Sequence, residues 1–146
     1  MSQWLLDTDH VSLILRGNQQ VIQAAASRHP DVAISIITVQ ELFNGWVNLI
    51  NQGNEDPNRL VQLYGKFANT IDFIKSVPIL DFDESAKQVY VNLRSQNRKL
   101  SQRKLAKDVR IASIALANGA TVVTRNQQDF SLIPNLSLED WSLDAS

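Results

Sequence analysis

The sequence predicts an α/β chain: a three-layer α/β/α sandwich around a central, mainly parallel sheet of four or five strands. Three observations predict it. Val32-Ala33-Ile34-Ser35-Ile36 and Thr121-Val122-Val123-Thr124 are short β-branched runs with the length and composition of buried strands. Between such runs, apolar residues recur at the spacing of a helix with one buried face. Strand and helix then alternate along the chain, and strands separated by helices pair in parallel with helices on both faces.

Taken in order, Trp4-Leu5-Leu6 is a strand ended by Asp7, and Val11, Leu13, Ile14 and Leu15 continue as a helix that stops at Gly17. Val21, Ile22, Ala24, Ala25 and Ala26 form a short helix closed by Pro30, and the run 32–36 is the second strand. Val39, Leu42, Phe43, Trp46, Leu49 and Ile50 repeat at helical spacing. Asn51 to Asn58, with a Gly, a Pro and two acids, reads as a long polar loop. Leu60, Leu63, Tyr64, Phe67, Ile71 and Ile74 mark a long amphipathic helix, followed by a short strand at Val77-Pro78-Ile79-Leu80. Ala86, Val89, Tyr90 and Leu93 form another helix. Val109, Ile111, Ala112, Ile114, Ala115 and Leu116 build a nearly all-apolar helix that Asn118-Gly119 stops. Thr121 to Thr124 is a strand and Leu136-Ser137-Leu138 a last one at the sheet edge. No repeat and no linker interrupts the pattern, so 1–146 reads as a single domain.

Composition narrows the function classes. A chain of 146 residues suits one ordinary domain. With 44% hydrophobic and 20% charged residues, five Gly and four Pro, it is neither disordered nor low-complexity. The absence of Cys removes disulfides, thiolate metal sites and a Cys nucleophile together. No apolar stretch approaches the roughly 18 residues of a membrane helix. Met-Ser-Gln-Trp lacks the charged-then-apolar opening of a signal peptide, so the expected location is cytoplasmic. A formal charge of −1 argues against a generally basic nucleic-acid binder and leaves room for a local basic patch.

Four acidic positions carry the chemical argument. In an open parallel sheet, ligands bind beyond the carboxyl ends of the strands, where connections diverge. Asp7 sits at such an end, where it serves equally well as an N-cap or as a metal-binding or phosphoryl-transferring carboxylate. Thr38-Val39-Gln40-Glu41 fits a capping box, which offers Glu41 a structural role beside a catalytic one. Asp108 lies in line with the buried stripe Ile111, Ala112, Ala115 and Leu116, and an unpaired buried carboxylate is costly. Its neighbours Lys107 and Arg110 point elsewhere on the helix, so function is the better account. After the strand at 121–123 comes Thr124-Arg125-Asn126-Gln127-Gln128-Asp129-Phe130, a polar turn in which Asn126 and Asp129 are equal candidates to face the site. Asp129 has a competing role as a cap and Phe130 as a core plug.

Such an oxygen-only set suits Mg²⁺ or Mn²⁺ rather than zinc. Acids crowded together repel, so some should hold raised pKa values until a cation neutralises them. His10 and His29 are assigned to helix and loop surfaces. Seven of the 14 Lys and Arg fall between residues 94 and 110, among them Arg98, Lys99, Arg103, Lys104 and Lys107, and only Asp108 opposes them. A solvated helix face is the simple account of that run. Its continuity with Asp108 also suits a polyanion delivered to a metal, and these five are the RNA-binding candidates. No aromatic interleaves them, so base stacking has no support there.

The stretches Leu5-Leu6-Asp7-Thr8-Asp9, Ile37-Thr38-Val39-Gln40-Glu41-Leu42, Asp108-Val109-Arg110-Ile111-Ala112 and Val123-Thr124-Arg125-Asn126-Gln127-Gln128-Asp129-Phe130 resemble a PIN-domain ribonuclease. The likeness is to the VapC toxins of type II toxin–antitoxin modules, including the branch associated with cleavage of initiator tRNA. It extends to Leu138-Glu139-Asp140-Trp141. The resemblance implies a PIN-like sandwich, Mg²⁺- or Mn²⁺-dependent RNA hydrolysis with tRNA as a candidate substrate, a homodimer, and inhibition by a VapB-type antitoxin laid into the active-site groove. It carries metal binding onto Asp7 and Asp108, completes the acidic pocket with Glu41 and Asp129, and gives Thr8, Thr124 and Asn126 supporting roles. Many relatives place a Gly shortly before the position of Asp108, where this chain reads Lys104-Leu105-Ala106-Lys107.

Two other classes compete. Leu5-Leu6-Asp7-Thr8-Asp9 also mimics the opening of haloacid-dehalogenase-like phosphatases, with Asp7 as nucleophile, although no suitable downstream Lys with an acidic doublet follows. The other alternative is a non-catalytic PIN-like binding module whose acids merely cap helices.

Overall fold

The computed structural model describes residues 3–53 and 55–143; Met1 and Ser2, the first half of the Met-Ser-Gln-Trp opening that lacks a signal-peptide pattern, lie outside them. Five strands, β1 (Gln3–Leu6), β2 (Val32–Ser35), β3 (Ile79–Leu80), β4 (Ala120–Val123) and β5 (Leu138–Glu139), form one sheet in the order β3-β2-β1-β4-β5. Every pairing is parallel; β1 registers Leu5 against Ala33 on one side and Val122 on the other. The crossovers are α1 (Thr8–Leu15), α2 (Gln19–Arg28), α3 (Ile36–Gln52), α4 (Pro57–Lys75), α5 (Glu84–Gln96) and α6 (Ala106–Asn118), with a one-turn α7 (Gln127–Phe130) after β4. This is the α/β/α sandwich that the alternation of strand and helix predicts, and it has the PIN-like form that the resemblance implies.

Strand alternation sends successive side chains to opposite faces, and each face has its own core. Leu5, Ala33 and Val122 point toward α5 and α6, where Val109, Ala112, Ala115 and Leu93 meet them. Leu6, Ile34 and Val123 point the other way, toward Val11 of α1, Val21 of α2 and Val39 of α3. Because both faces are covered, successive residues within the strands, Leu5-Leu6, Val32-Ala33-Ile34 and Val122-Val123, are all apolar instead of alternating with polar residues.

Several boundaries differ from the sequence expectation. The second strand ends at Ser35, not Ile36, because the Ser35 hydroxyl accepts the Thr38 N–H at 3.1 Å and opens α3 there. Thr38 is therefore inside the helix, and the capping box expected at Thr38–Glu41 does not form. The loop expected from Asn51 to Asn58 is shorter: α3 continues through Gln52, and Asp56 caps an α4 that starts on Pro57, a residue preorganised for the first helical position. Asn54 lies outside the described residues. Gly119, with φ 64, takes the left-handed position that closes α6 just before β4.

The basic run does not lie along one helix face. After α5 ends at Gln96, it winds through two 3₁₀ turns, Arg98–Ser101 and Arg103–Leu105, pinned to the core by Leu100 and Leu105. His29 is exposed, as expected. His10 is not on a surface: it is 0% exposed, its ring held by hydrogen bonds at both nitrogens. Among the described residues, no helix is long and apolar enough to cross a membrane.

Candidate active site at the carboxyl end of the sheet

The chain moves from β1 outward to β2 and β3, then returns to β4 on the other side of β1. The switch point of this sheet is therefore the carboxyl end of β1 and β4, where connections leave in opposite directions. Asp7 follows β1, and its N–H donates to the Val123 carbonyl at 2.9 Å. Thr124 follows β4 directly. Helices α1, α3 and α7 all begin where a strand ends, and α6 runs back from Asp108 toward the start of β4. Four helix N-termini thus face one region, and their partial positive charges favour anions there.

Asp7 is 8% exposed and is the N-cap of α1, so the capping role is real. Its Oδ1 accepts the Thr8 N–H at 2.8 Å, and its Oδ2 accepts the Thr124 hydroxyl at the same distance. Burial is the largest influence on this carboxyl, followed by the charge of Asp9. Together they outweigh the two hydrogen bonds and lift the pKa from 3.8 to about 6. A cap needs no such burial.

Glu41 projects from the second turn of α3. Its Oε1 accepts the Thr8 hydroxyl at 3.1 Å, and its Oε2 pairs with Lys107 Nζ at 2.8 Å across 66 residues of sequence. Thr8 also lies 3.2 Å from the Thr38 hydroxyl. The pairing holds Lys107 above its usual pKa, with Asp108 and Asp7 adding smaller contributions. Lys107, a candidate for RNA contact, is in this structure ion-paired to the acidic cluster through Glu41. The side chains of Arg98, Lys99, Arg103 and Lys104 remain exposed on the 3₁₀ turns that lead to it.

Asp108, partly buried in the first turn of α6, has its pKa raised from 3.8 to about 6, by burial first and then by the charges of Asp7, Asp129 and Glu41, with Lys107 opposing them. The four acids proposed from sequence are therefore electrostatically coupled in one place. The choice left open between Asn126 and Asp129 resolves into both. The Asn126 amide donates to Asp108 Oδ2 at 3.1 Å and to Asp129 Oδ2 at 3.2 Å, and its Oδ1 caps α7 by accepting the Asp129 N–H at 3.4 Å. Asn126, not Asp129, is the cap. Phe130 is 0% exposed and plugs the core behind the turn.

Asp9 was not singled out from the sequence. Its Oδ2 accepts the Arg125 N–H at 2.9 Å and lies 3.4 Å from the Thr124 hydroxyl, tying α1 to the turn after β4. Burial pushes this carboxyl up, but hydrogen bonds from His10 and Arg125 push harder and leave its pKa low. Asp9 thus keeps a low pKa beside Asp7, whose own carboxyl it helps push up. An acid two residues from Asp7 was visible in the sequence; its partner 116 residues away was not.

The donors fit a hard divalent cation in kind. All are oxygens, the pKa values of Asp7 and Asp108 are raised to about 6 by burial first and neighbouring acids second, and among the described residues no donor reaches Oδ1 of Asp108. Among the described residues, no three acidic or histidine side chains form a ready-made cage. Mg²⁺ does not require one, since it binds through one or two carboxylates and keeps several waters.

No family model matches this sequence. Among curated proteins, ribonuclease VapC2 of Rickettsia felis is 40% identical over 72 residues, covering 47% of this chain and 52% of that protein. The tRNA(fMet)-specific endonuclease VapC of Salmonella typhimurium is 26% identical over 142 residues, which is 97% of this chain and 99% of that one. Among solved structures, DNA-bound VapBC from Salmonella typhimurium superposes with a TM-score of 0.75 at 25% identity, covering 97% of this chain and 99% of that chain. The chain is VapC-like in sequence and in fold.

Proposed function

We propose that this chain is an endoribonuclease toxin of the VapC type, that it hydrolyses RNA phosphodiesters with Mg²⁺ or Mn²⁺, and that a VapB-type antitoxin restrains it. The observation that carries the proposal is the coupling of Asp7 and Asp108, each held near pKa 6, at the point where four helix N-termini meet. Carboxyls arranged this way are unfavourable by themselves and become favourable once a cation joins them. The names of the relatives supply the reaction class: ribonuclease and tRNA(fMet)-specific endonuclease.

In this reading Asp7 and Asp108 hold the metal, while Glu41 and Asp129 complete the negative field. Bound there, a divalent cation supplies the positive charge that lowers the pKa of water and stabilises a phosphoryl oxygen. Thr124 and the N–H of Thr8 aim the two oxygens of Asp7. Asn126 spaces Asp108 from Asp129 with one amide. Arg98, Lys99, Arg103 and Lys104 attract the RNA backbone toward the pocket, and tRNA is the substrate that the Salmonella relative's name suggests.

The antitoxin has a place to lie. A groove of about 670 Å³ starts at Thr8 and Glu41 and runs between α1, α3 and α4 past Arg16, Trp46, Arg59 and Lys66. A solved neighbour from Salmonella typhimurium is a VapBC complex. An antitoxin segment in this groove, with a cation reaching Glu41 and Asp7, would compete with the metal. A homodimer is part of the same proposal.

The test is RNA cleavage with Mg²⁺ or Mn²⁺ by the wild type, Asp7→Asn and Asp108→Asn. Loss of cutting in both variants is expected; undiminished cutting in both rejects the mechanism. The capping role of Asp7 favours one second reading, a binding module without catalysis. It predicts that Mg²⁺ leaves the melting temperature unchanged, whereas a metal site predicts stabilisation.

A further inference from the structure

We infer that His10 is a positioning residue for the Asp7 carboxylate, acting through Asp9 and the turn that follows β4. The inference deepens the proposed function and rests on it for the meaning of Asp7. His10 is fully buried, three residues along α1 from Asp7, and the acidic cluster makes no direct use of its ring. The Trp141 N–H donates to Nε2 at 3.1 Å. Nε2 is thereby the acceptor, so Nδ1 carries the ring proton and donates it to Asp9 Oδ1 at 2.8 Å. Asp140 Oδ1 lies 3.3 Å from Nε2, but it already accepts the N–H and the hydroxyl of Ser142.

With Oδ1 held by the ring, Asp9 turns Oδ2 toward the β4–α7 turn, where it accepts the Arg125 N–H at 2.9 Å. The Thr124 hydroxyl lies between the two acids, 2.8 Å from Asp7 Oδ2 and 3.4 Å from Asp9 Oδ2, while its oxygen accepts the Asn126 N–H at 3.0 Å. The orientation of Thr124, and so of Asp7, depends on where Asp9 holds the turn. The far side of the imidazole is anchored as firmly. Glu139 accepts both the Trp4 and Trp141 indole N–H groups, at 3.2 and 2.9 Å, and the Arg28 guanidinium packs over both rings. The imidazole therefore couples the chain's last strand and the residues after it to the acid cluster, and only a side chain with a donor on one edge and an acceptor on the other can occupy it.

Two variants separate this role from simple core filling. The Asn amide reaches the position of Nδ1, so His10→Asn keeps a donor for Asp9 and loses the acceptor for Trp141. His10→Gln reaches the position of Nε2 and does the reverse. Amide hydrogen exchange on the metal-free full chain should therefore cross over. His10→Gln accelerates exchange at Arg125 by about tenfold and spares Trp141, and His10→Asn accelerates Trp141 and spares Arg125. Mn²⁺ titration should follow the first pattern, with affinity weakened on the order of tenfold in His10→Gln and held near wild type in His10→Asn. Equal losses in the two variants, or wild-type exchange at Arg125 and wild-type Mn²⁺ affinity in His10→Gln, overturn the inference. If the wild type itself binds no Mn²⁺, the metal reading fails, and the exchange pattern alone decides whether His10 positions the turn.

Discussion

Asp108→Asn in protein stripped of divalent cations removes a charge whose cost can be worked from the structure. Lifting the carboxyl from 3.8 to about 6 corresponds to about 3 kcal/mol of interaction that opposes ionisation. Asp108 is only partly buried, so solvent screening reduces this to about 1.5 kcal/mol. The variant also gives up a charge in the first turn of α6, which the helix dipole favours by about 0.5 kcal/mol. The asparagine carbonyl can still accept from Asn126. The net gain is about 1 kcal/mol, or roughly 3 °C in melting temperature for a chain of this length. The sign follows from linkage. A carboxyl with a raised pKa binds its proton more tightly in the folded state, so its favourable contribution is complete below 3.8 and is lost as the pH rises through about 6. Wild type and variant should therefore melt together near pH 4 and diverge by pH 8, with the variant higher. If Asp7 and Asp108 hold the metal as proposed, saturating Mg²⁺ should reverse the order, because only the wild type keeps both carboxylates. Calorimetric or fluorescence melts with a chelator and with Mg²⁺ at the two pH values suffice. A variant that melts at or below the wild type at pH 8 without metal would refute the repulsion argument.

The basic approach is tested by Arg103→Glu combined with Lys104→Glu, two exposed positions outside the acidic cluster. KM for RNA should rise and its salt dependence flatten while kcat and Mn²⁺ binding hold, as expected for contacts to phosphates. Phe130→Ala empties a fully buried site behind the β4–α7 turn and should cost about 3–5 kcal/mol, read from the midpoint of urea unfolding. At Gly119 an added Cβ meets nothing within 4 Å, so Gly119→Ala pays only for its φ of 64, about 1 kcal/mol by the same measurement. A larger loss would mean that α6 and β4 depend on more than backbone geometry at that junction.

Much of the candidate site's make-up is legible in the sequence. Asp108 betrayed itself by lying on the buried stripe of α6, and Asp7 by ending the first strand. Glu41 was legible as a position but not as a role. Its apparent capping box depended on a helix starting at Thr38, and the Ser35 hydroxyl opens that helix three residues earlier. Lys107 read as one more cation in a basic run, because nothing local reveals that Glu41, 66 residues away, receives its ammonium. His10 was misread for the same reason: a histidine between polar and apolar neighbours resembles a helix surface until its partners from the end of the chain arrive.

The succession of strands and helices and the covering of both sheet faces were determined by local pattern, which also marked Asp7 and Asp108 as candidates, since periodicity and β-branching act over a few residues. Tertiary structure alone decided which of those acids repel one another, which cation answers them, and how Asn126 divides its amide between Asp108 and Asp129. Such contacts join residues tens of positions apart, and their strength depends on distance and burial, which a linear chain does not possess until it folds.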